Sequence, residues 1–107
     1  MIISSQFNRF YHRAIITEIK RINTPISFYN RFKIRFSGLS IKSVKMMLKM
    51  LDLNYPRNSM QEVISIKDIE NKELCEHIEF IFKTLAENSI TLKVVEDEWQ
   101  RLLKEIR

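Results

Sequence analysis

One glycine and two prolines in 107 residues leave little from which to build tight β-turns, because two-residue hairpins need residues that adopt positive φ without strain. This scarcity constrains the fold more than any motif in the chain, and it predicts helices. A content of 45% hydrophobic and 29% charged residues belongs to an ordinary globular chain, long enough to bury one core and too short for two. The expectation is therefore an all-α protein with one domain over residues 1–107. It should be a compact bundle of four to five helices, with room for one short extended segment.

Apolar spacing places the helices. Ser4 or Ser5 can cap a first helix running to about Ile22, with Phe7, Tyr11, Ala14, Ile15 and Ile22 on its core side. Arg9, Arg13 and Lys20 gather on another face, with Ile16 between them. Thr24 can cap a helix that has Pro25 in its first turn. Residues 26–36 alternate like a strand but also carry helical spacing at Tyr29, Phe32 and Phe36. With no second strand to pair with, a helix followed by Gly38 is favoured. Ser40 caps IKSVKMMLKMLDL, whose core stripe is Val44, Leu48 and Leu51, with Met47 at its margin. NYPRNS then forms a loop, and QEVISI fits either a short extended piece or a helical turn. A helix over about 69–87 turns Leu74, Ile78, Ile81 and Leu85 inward. A last helix over 91–106 adds Leu92, Val95, Trp99, Leu102, Leu103 and Ile106, with Asp97–Arg101 and Arg101–Glu105 able to pair on its outer side.

Few residues point to catalysis. One glycine cannot build a phosphate-binding loop. The single Cys75 cannot form an internal disulfide, and on a helix Cys75 and His77 project about 200° apart, too far to chelate a metal together. Glu73 and His77 share a helix face, but a surface pair of this kind lacks a nucleophile and oxyanion donors. No enzyme activity, cofactor or metal is expected. MIISSQ lacks the basic start and apolar run of a signal peptide, and no apolar segment is long enough to span a bilayer. A cytoplasmic, reducing location with no membrane contact is therefore the expectation.

Charge is more informative. Residues 1–53 carry ten Lys/Arg against two acidic residues, a net +8, whereas residues 54–107 carry eight against eleven, a net −3. Such a division can steer partners of opposite charge. Within the acidic half, Phe80 falls well outside the apolar stripe of its own helix, among Glu73, Glu76 and Glu87. An aromatic ringed by polar groups is the usual anchor of a protein interface. The competing explanation is that the loop over 54–67 folds across it. The candidate partner-binding set is Asp68, Glu70, Glu73, Glu76, Glu79, Phe80 and Glu87, facing a basic protein.

In size and in the element SITLKVVEDEWQRLLKEI, a polar start followed by an amphipathic run, the chain resembles the small helical immunity proteins of the colicin D type. These guard bacteria against their own tRNase toxins. The resemblance implies a non-enzymatic inhibitor that neutralises a basic nuclease by offering carboxylates where phosphates would bind. A second outline is present in FKIRFSGLSIKSVKMMLKML, which resembles a helix-turn-helix with Gly38 at the turn. That alternative is a DNA-binding regulator using Lys42, Lys45 and Lys49, widened by Arg9, Arg13 and Lys20. Lys33 and Ile34 depart from the motif's packing positions, so the inhibitor reading is preferred. A third possibility is a homodimer whose basic and acidic halves pair with each other.

Overall fold

A computed structural model describes residues 2–33 and 35–106, and the side-chain surroundings of residues 5–33 and 35–105. The chain runs through α1 (Ile2–Phe10), a π-helical stretch (Tyr11–Ile16), α2 (Thr17–Arg21), α3 (Ile26–Phe32), α4 (Ile41–Leu51), α5 (Asn71–Glu87) and α6 (Lys93–Ile106). Phe10 and Ile16 keep right-handed helical angles at the two junctions, so α1, the π stretch and α2 form one rod. Among the described residues this makes five helical rods, and the expected all-α bundle is what forms. Among the described residues β-pairing is limited to an isolated bridge between Arg57 and Val63. The molecule measures 40 × 37 × 21 Å. Its thinnest dimension is about two helix diameters, as two layers of helices around one core require.

The π-helical stretch corrects the reading of the first helix. Its i→i+5 bonding takes an extra residue into the turn and shifts the register of the residues beyond it. Ile16, which uniform α-helical spacing places among Arg9, Arg13 and Lys20, turns inward. Tyr11, Ile15, Ile16 and Ile19 are all fully buried, while Ala14 and Ile22 only pack at the margin of the core. Both Ser4 and Ser5 lie inside α1 and not at its cap, because the helix already starts at Ile2.

Trp99 fills the centre. Phe7 lies tilted against it and Phe10 stacks on it, both with ring centroids 5.5 Å away. Its indole Nε1–H donates to Glu79 Oε1 at 3.1 Å, so the buried ring leaves no orphan donor. Leu74, Ile78, Ile81, Leu85, Leu92 and Val95 are buried around it as expected, and Leu102 packs at the edge. Ile106, expected in the same cluster, lies outside the residues whose side chains are described. On the outer side of α6, Arg101 pairs with Glu98 at 3.7 Å and Asp97 with Lys93 at 3.5 Å, in place of the Asp97–Arg101 and Arg101–Glu105 pairs.

Helix ends show how the chain turns with so little glycine. Ser40 caps α4 as expected, its Oγ accepting from Ser43 N–H at 3.1 Å. Thr24 caps nothing: Pro25 occupies the cap position of α3 without a side-chain bond, and Thr24 Oγ1 accepts from Phe36 N–H at 2.7 Å, tying the far end of the 26–36 segment back to its start. That segment is helix only to Phe32. Lys33, at φ 57°, closes it in the left-handed region, and Gly38 does not have positive φ. At the start of α5, Glu70 and Glu73 form a reciprocal capping box. At its end, Ser89 N–H donates to Ala86 O at 3.0 Å and Ile90 N–H to Leu85 O at 2.8 Å. This is a Schellman closure, with Ser89 rather than glycine at φ 64°.

Two stability measurements check these points. Ile16→Ala should lower unfolding free energy by about 2–4 kcal/mol in a denaturant titration; a loss below about 1 kcal/mol would return Ile16 to the surface. Ser89→Gly should raise it by roughly 0.5–1 kcal/mol by relieving the left-handed serine, and a decrease would refute the Schellman assignment.

Candidate functional site

α5 passes over the core with Leu74, Ile78, Ile81 and Leu85 beneath it, which directs Glu76, Lys83 and Glu87 to solvent. Phe80 projects between those faces. It is half-buried, packs on the edge of the core, and lies parallel to the His77 ring, with centroids 6.3 Å apart and planes 9° apart. Of residues 54–67, only Asn54 lines a depression that Phe80 also lines. On the two sides of Phe80 that border depressions, the rest of the loop leaves the ring open.

Phe80 separates two such depressions. One, of about 390 Å3, is lined by Asp52, Glu73, Glu76 and Glu79 together with Asn54, His77 and Phe80, with no lysine or arginine among its described lining residues. The other, of about 340 Å3, is formed by Phe32, Met50, Leu51, Leu53 and Phe80, with Arg31 and Glu87 among its polar neighbours. Leu53 is 87% exposed and Met50 56%. This leaves apolar surface beside the acidic depression, and flexible methionine suits an adaptable contact.

The expected partner-binding residues divide by the work they already do. Glu70 and Glu73 cap α5, and Glu79 accepts from Trp99. Asp68, Glu76 and Glu87 are exposed and make no ion pair or side-chain hydrogen bond among the described residues. Asp68 lies ahead of α5 in the 3-10 turn over Ile66–Asp68 and lines neither depression. Glu73, Glu76 and Glu79 line the depression on one side of Phe80, and Glu87 lines the depression on the other.

Sequence spacing missed the support beneath this surface. The Glu73–His77 surface pair does not form; the His77 side chain is fully buried, and its Nδ1–H donates to Asp52 Oδ2 at 2.8 Å. Asp52 Oδ1 also accepts from Asn54 N–H at 3.0 Å, fixing the chain as it leaves α4. Tyr55 packs edge-on to His77 at 4.7 Å and donates its hydroxyl to Ile64 O at 2.6 Å. Twenty-five residues separate Asp52 from His77, and no local pattern connects them. The one available signal is the position of His77 directly before the core residue Ile78.

Lys49 completes the cluster. It is only 9% exposed, with Nζ lying 5.5 Å from the Tyr55 ring centroid, so it is not part of the solvent-facing row expected with Lys42 and Lys45. Burial, and then the Lys45 charge, lower its pKa. Arg9, Arg13, Lys20 and Lys42 are exposed, and Lys45 is half-buried. Residues 33–40 separate α3 from α4, longer than the three- or four-residue turn of a helix-turn-helix. Ile34, at one departing position of that outline, lies outside the described residues.

Burial holds the His77 imidazole below its ordinary value and outweighs the opposing hydrogen bond and charge of Asp52; Lys49 acts in the same direction as burial. Tyr11 and Tyr55 are pushed upward, chiefly by burial, and the Cys75 thiol is raised by burial and then by Glu79 and Glu76, which leaves it a poor nucleophile. Among the described residues no group of three His, Cys, Asp or Glu could hold a metal ion, and no helix is long and apolar enough to cross a membrane. Comparison with protein-family models, curated proteins and solved structures finds no match for this chain.

His77 makes stability depend on pH. Its folded pKa lies below the unfolded value of about 6.5, so below that pH the unfolded chain binds more protons than the native one. Stability should be fully present above about pH 6.5 and fall as the solution is acidified below it. His12, also lowered by burial and by Lys45 and Lys49, contributes with the same sign. His77→Gln, which can still donate to Asp52, should flatten the decline in melting temperature between about pH 7 and 5. An unchanged slope would remove His77 as its source.

Proposed function

We propose that this chain is a non-enzymatic binding protein that captures a basic protein partner on the Phe80 face of α5, in the manner of an immunity protein against a nuclease toxin. The observation that carries the reading is the depression lined by Asp52, Glu73, Glu76 and Glu79 beside the partly exposed Phe80, with no lysine or arginine among its described lining residues. A lysine or arginine side chain entering there would meet carboxylates and the Phe80 ring face together, combining charge-assisted hydrogen bonds with a cation–π contact. Met50 and Leu53 supply the apolar contact that an anchor residue needs around it. A toxin that cleaves tRNA presents cations of this kind to phosphates, and covering them would block substrate. His77 supports the site from within; its fully buried side chain orients the surface and does not meet a substrate.

The test is a tRNA-cleavage assay with a colicin D-type tRNase catalytic domain, titrated with the chain. Inhibition is expected at near-stoichiometric ratio. Phe80→Ala should weaken it by roughly 30-fold, the equivalent of about 2 kcal/mol, while lowering fold stability by only about 1–2 kcal/mol because the ring is half-buried. Glu76→Lys should slow association most at low salt. Cleavage that continues unchanged in molar excess of the chain would overturn the nuclease-inhibitor reading.

A further inference from the structure

We propose that the groove between the first helical rod and α6 is a docking site for an acidic amphipathic helix of a partner protein. Phe10, Ala14 and Leu102 line it with apolar surface, Arg9 and Arg13 border it from the first rod, and Arg101 borders it from α6. Arg101 is already paired with Glu98. Arg9 and Arg13 are exposed and make no ion pair among the described residues. Two unpartnered guanidiniums four residues apart beside an apolar lining complement a helix that carries carboxylates at i,i+4 next to a leucine or phenylalanine.

Volume and charge narrow the occupant. The groove holds about 320 Å3, at the small end of ligand pockets, which run from about 300 to 1,000 Å3. It takes one or two large side chains and not a dinucleotide-sized cofactor. Glu98 and Glu105 border the same groove, so any occupant must keep its anions on the Arg9–Arg13 side, which the evenly spaced phosphates of a nucleic acid do poorly. A peptide can place its carboxylates against Arg9 and Arg13 alone. The π-helical stretch supplies Arg13 and Ala14 to the groove, in keeping with the frequent occurrence of such turns at functional sites. None of the residues lining this groove lines either depression around Phe80, so the inference stands independently of the inhibitor reading.

Phe10 stacks on Trp99, the single tryptophan of the chain, which provides an internal reporter. The experiment titrates the full chain with a tryptophan-free helical peptide of about 18 residues, built from leucine and glutamate at i,i+4 spacing, and follows Trp99 emission alongside calorimetry. Saturable binding is expected, weakened at least tenfold by Arg9→Glu with Arg13→Glu and weakened by added salt. Arg13→Gln alone, which does not reverse charge, should weaken it less, and it keeps the test usable if the double variant fails to fold. No saturable binding, or equal binding of a leucine–lysine peptide, would overturn the proposal. So would tighter binding of a single-stranded oligonucleotide through the same arginines, or self-association of the chain that the double variant abolishes.

Discussion

The hydrogen bond from His77 to Asp52 decides where the Phe80 surface lies. It joins the residue that ends α4 to the middle of α5, with both groups withdrawn from water. Asp52 then holds the next turn through Asn54, and Tyr55 closes over His77. Leu53, between those fixed points, has no freedom to fold inward and stands exposed beside Phe80. A buried polar pair of this kind is weak evidence for stability, because removing two polar groups from water offsets much of their attraction. Its effect here is positional. Replacing both groups with apolar ones of similar shape would keep the core filled and release the segment that carries Leu53 and Asn54.

How much the chain disclosed in advance depends on the range of the interactions involved. Glycine scarcity and 3.6-residue spacing found the helices, and the narrow stripe of α5 identified Leu74, Ile78, Ile81 and Leu85 correctly, because helix periodicity is local. The displacement of Phe80 from that stripe was also legible. Features set by contacts across the chain were not. Lys49 looks solvated in sequence because its partner ring, Tyr55, lies just beyond the end of α4, where helical spacing no longer says which residues meet. Ile16 was misplaced because a π-helical turn leaves no mark in a pattern read at fixed pitch. His77 was read against Glu73, four residues away, and its true partner is in another helix's terminal turn.

Electrostatics shows the same difference between chain order and space. The basic and acidic halves of the sequence do not form two separate poles. Arg9 and Arg13 of the basic half border one groove with Glu98 and Glu105 of the acidic half, and Arg31 borders the depression that contains Glu87. The sharpest single-sign region is small, confined to the carboxylates around Asp52 and Glu76. Fields of that extent act over about one Debye length at physiological salt, roughly 8 Å. At that ionic strength they orient a partner at close approach, and they gather it from a distance only when salt is low.

Left-handed backbone at Lys33, Gln61 and Ser89 has a counterpart in the unfolded chain. Glycine would adopt these angles without strain, but it would also widen the range of conformations open to the disordered polypeptide. By using side-chain-bearing residues at all three turns, the protein accepts a strained native backbone and gains a denatured ensemble with less entropy to lose. That gain offsets only part of the strain, because these residues also avoid left-handed angles while the chain is unfolded, so each reversal is held by the contacts that form around it.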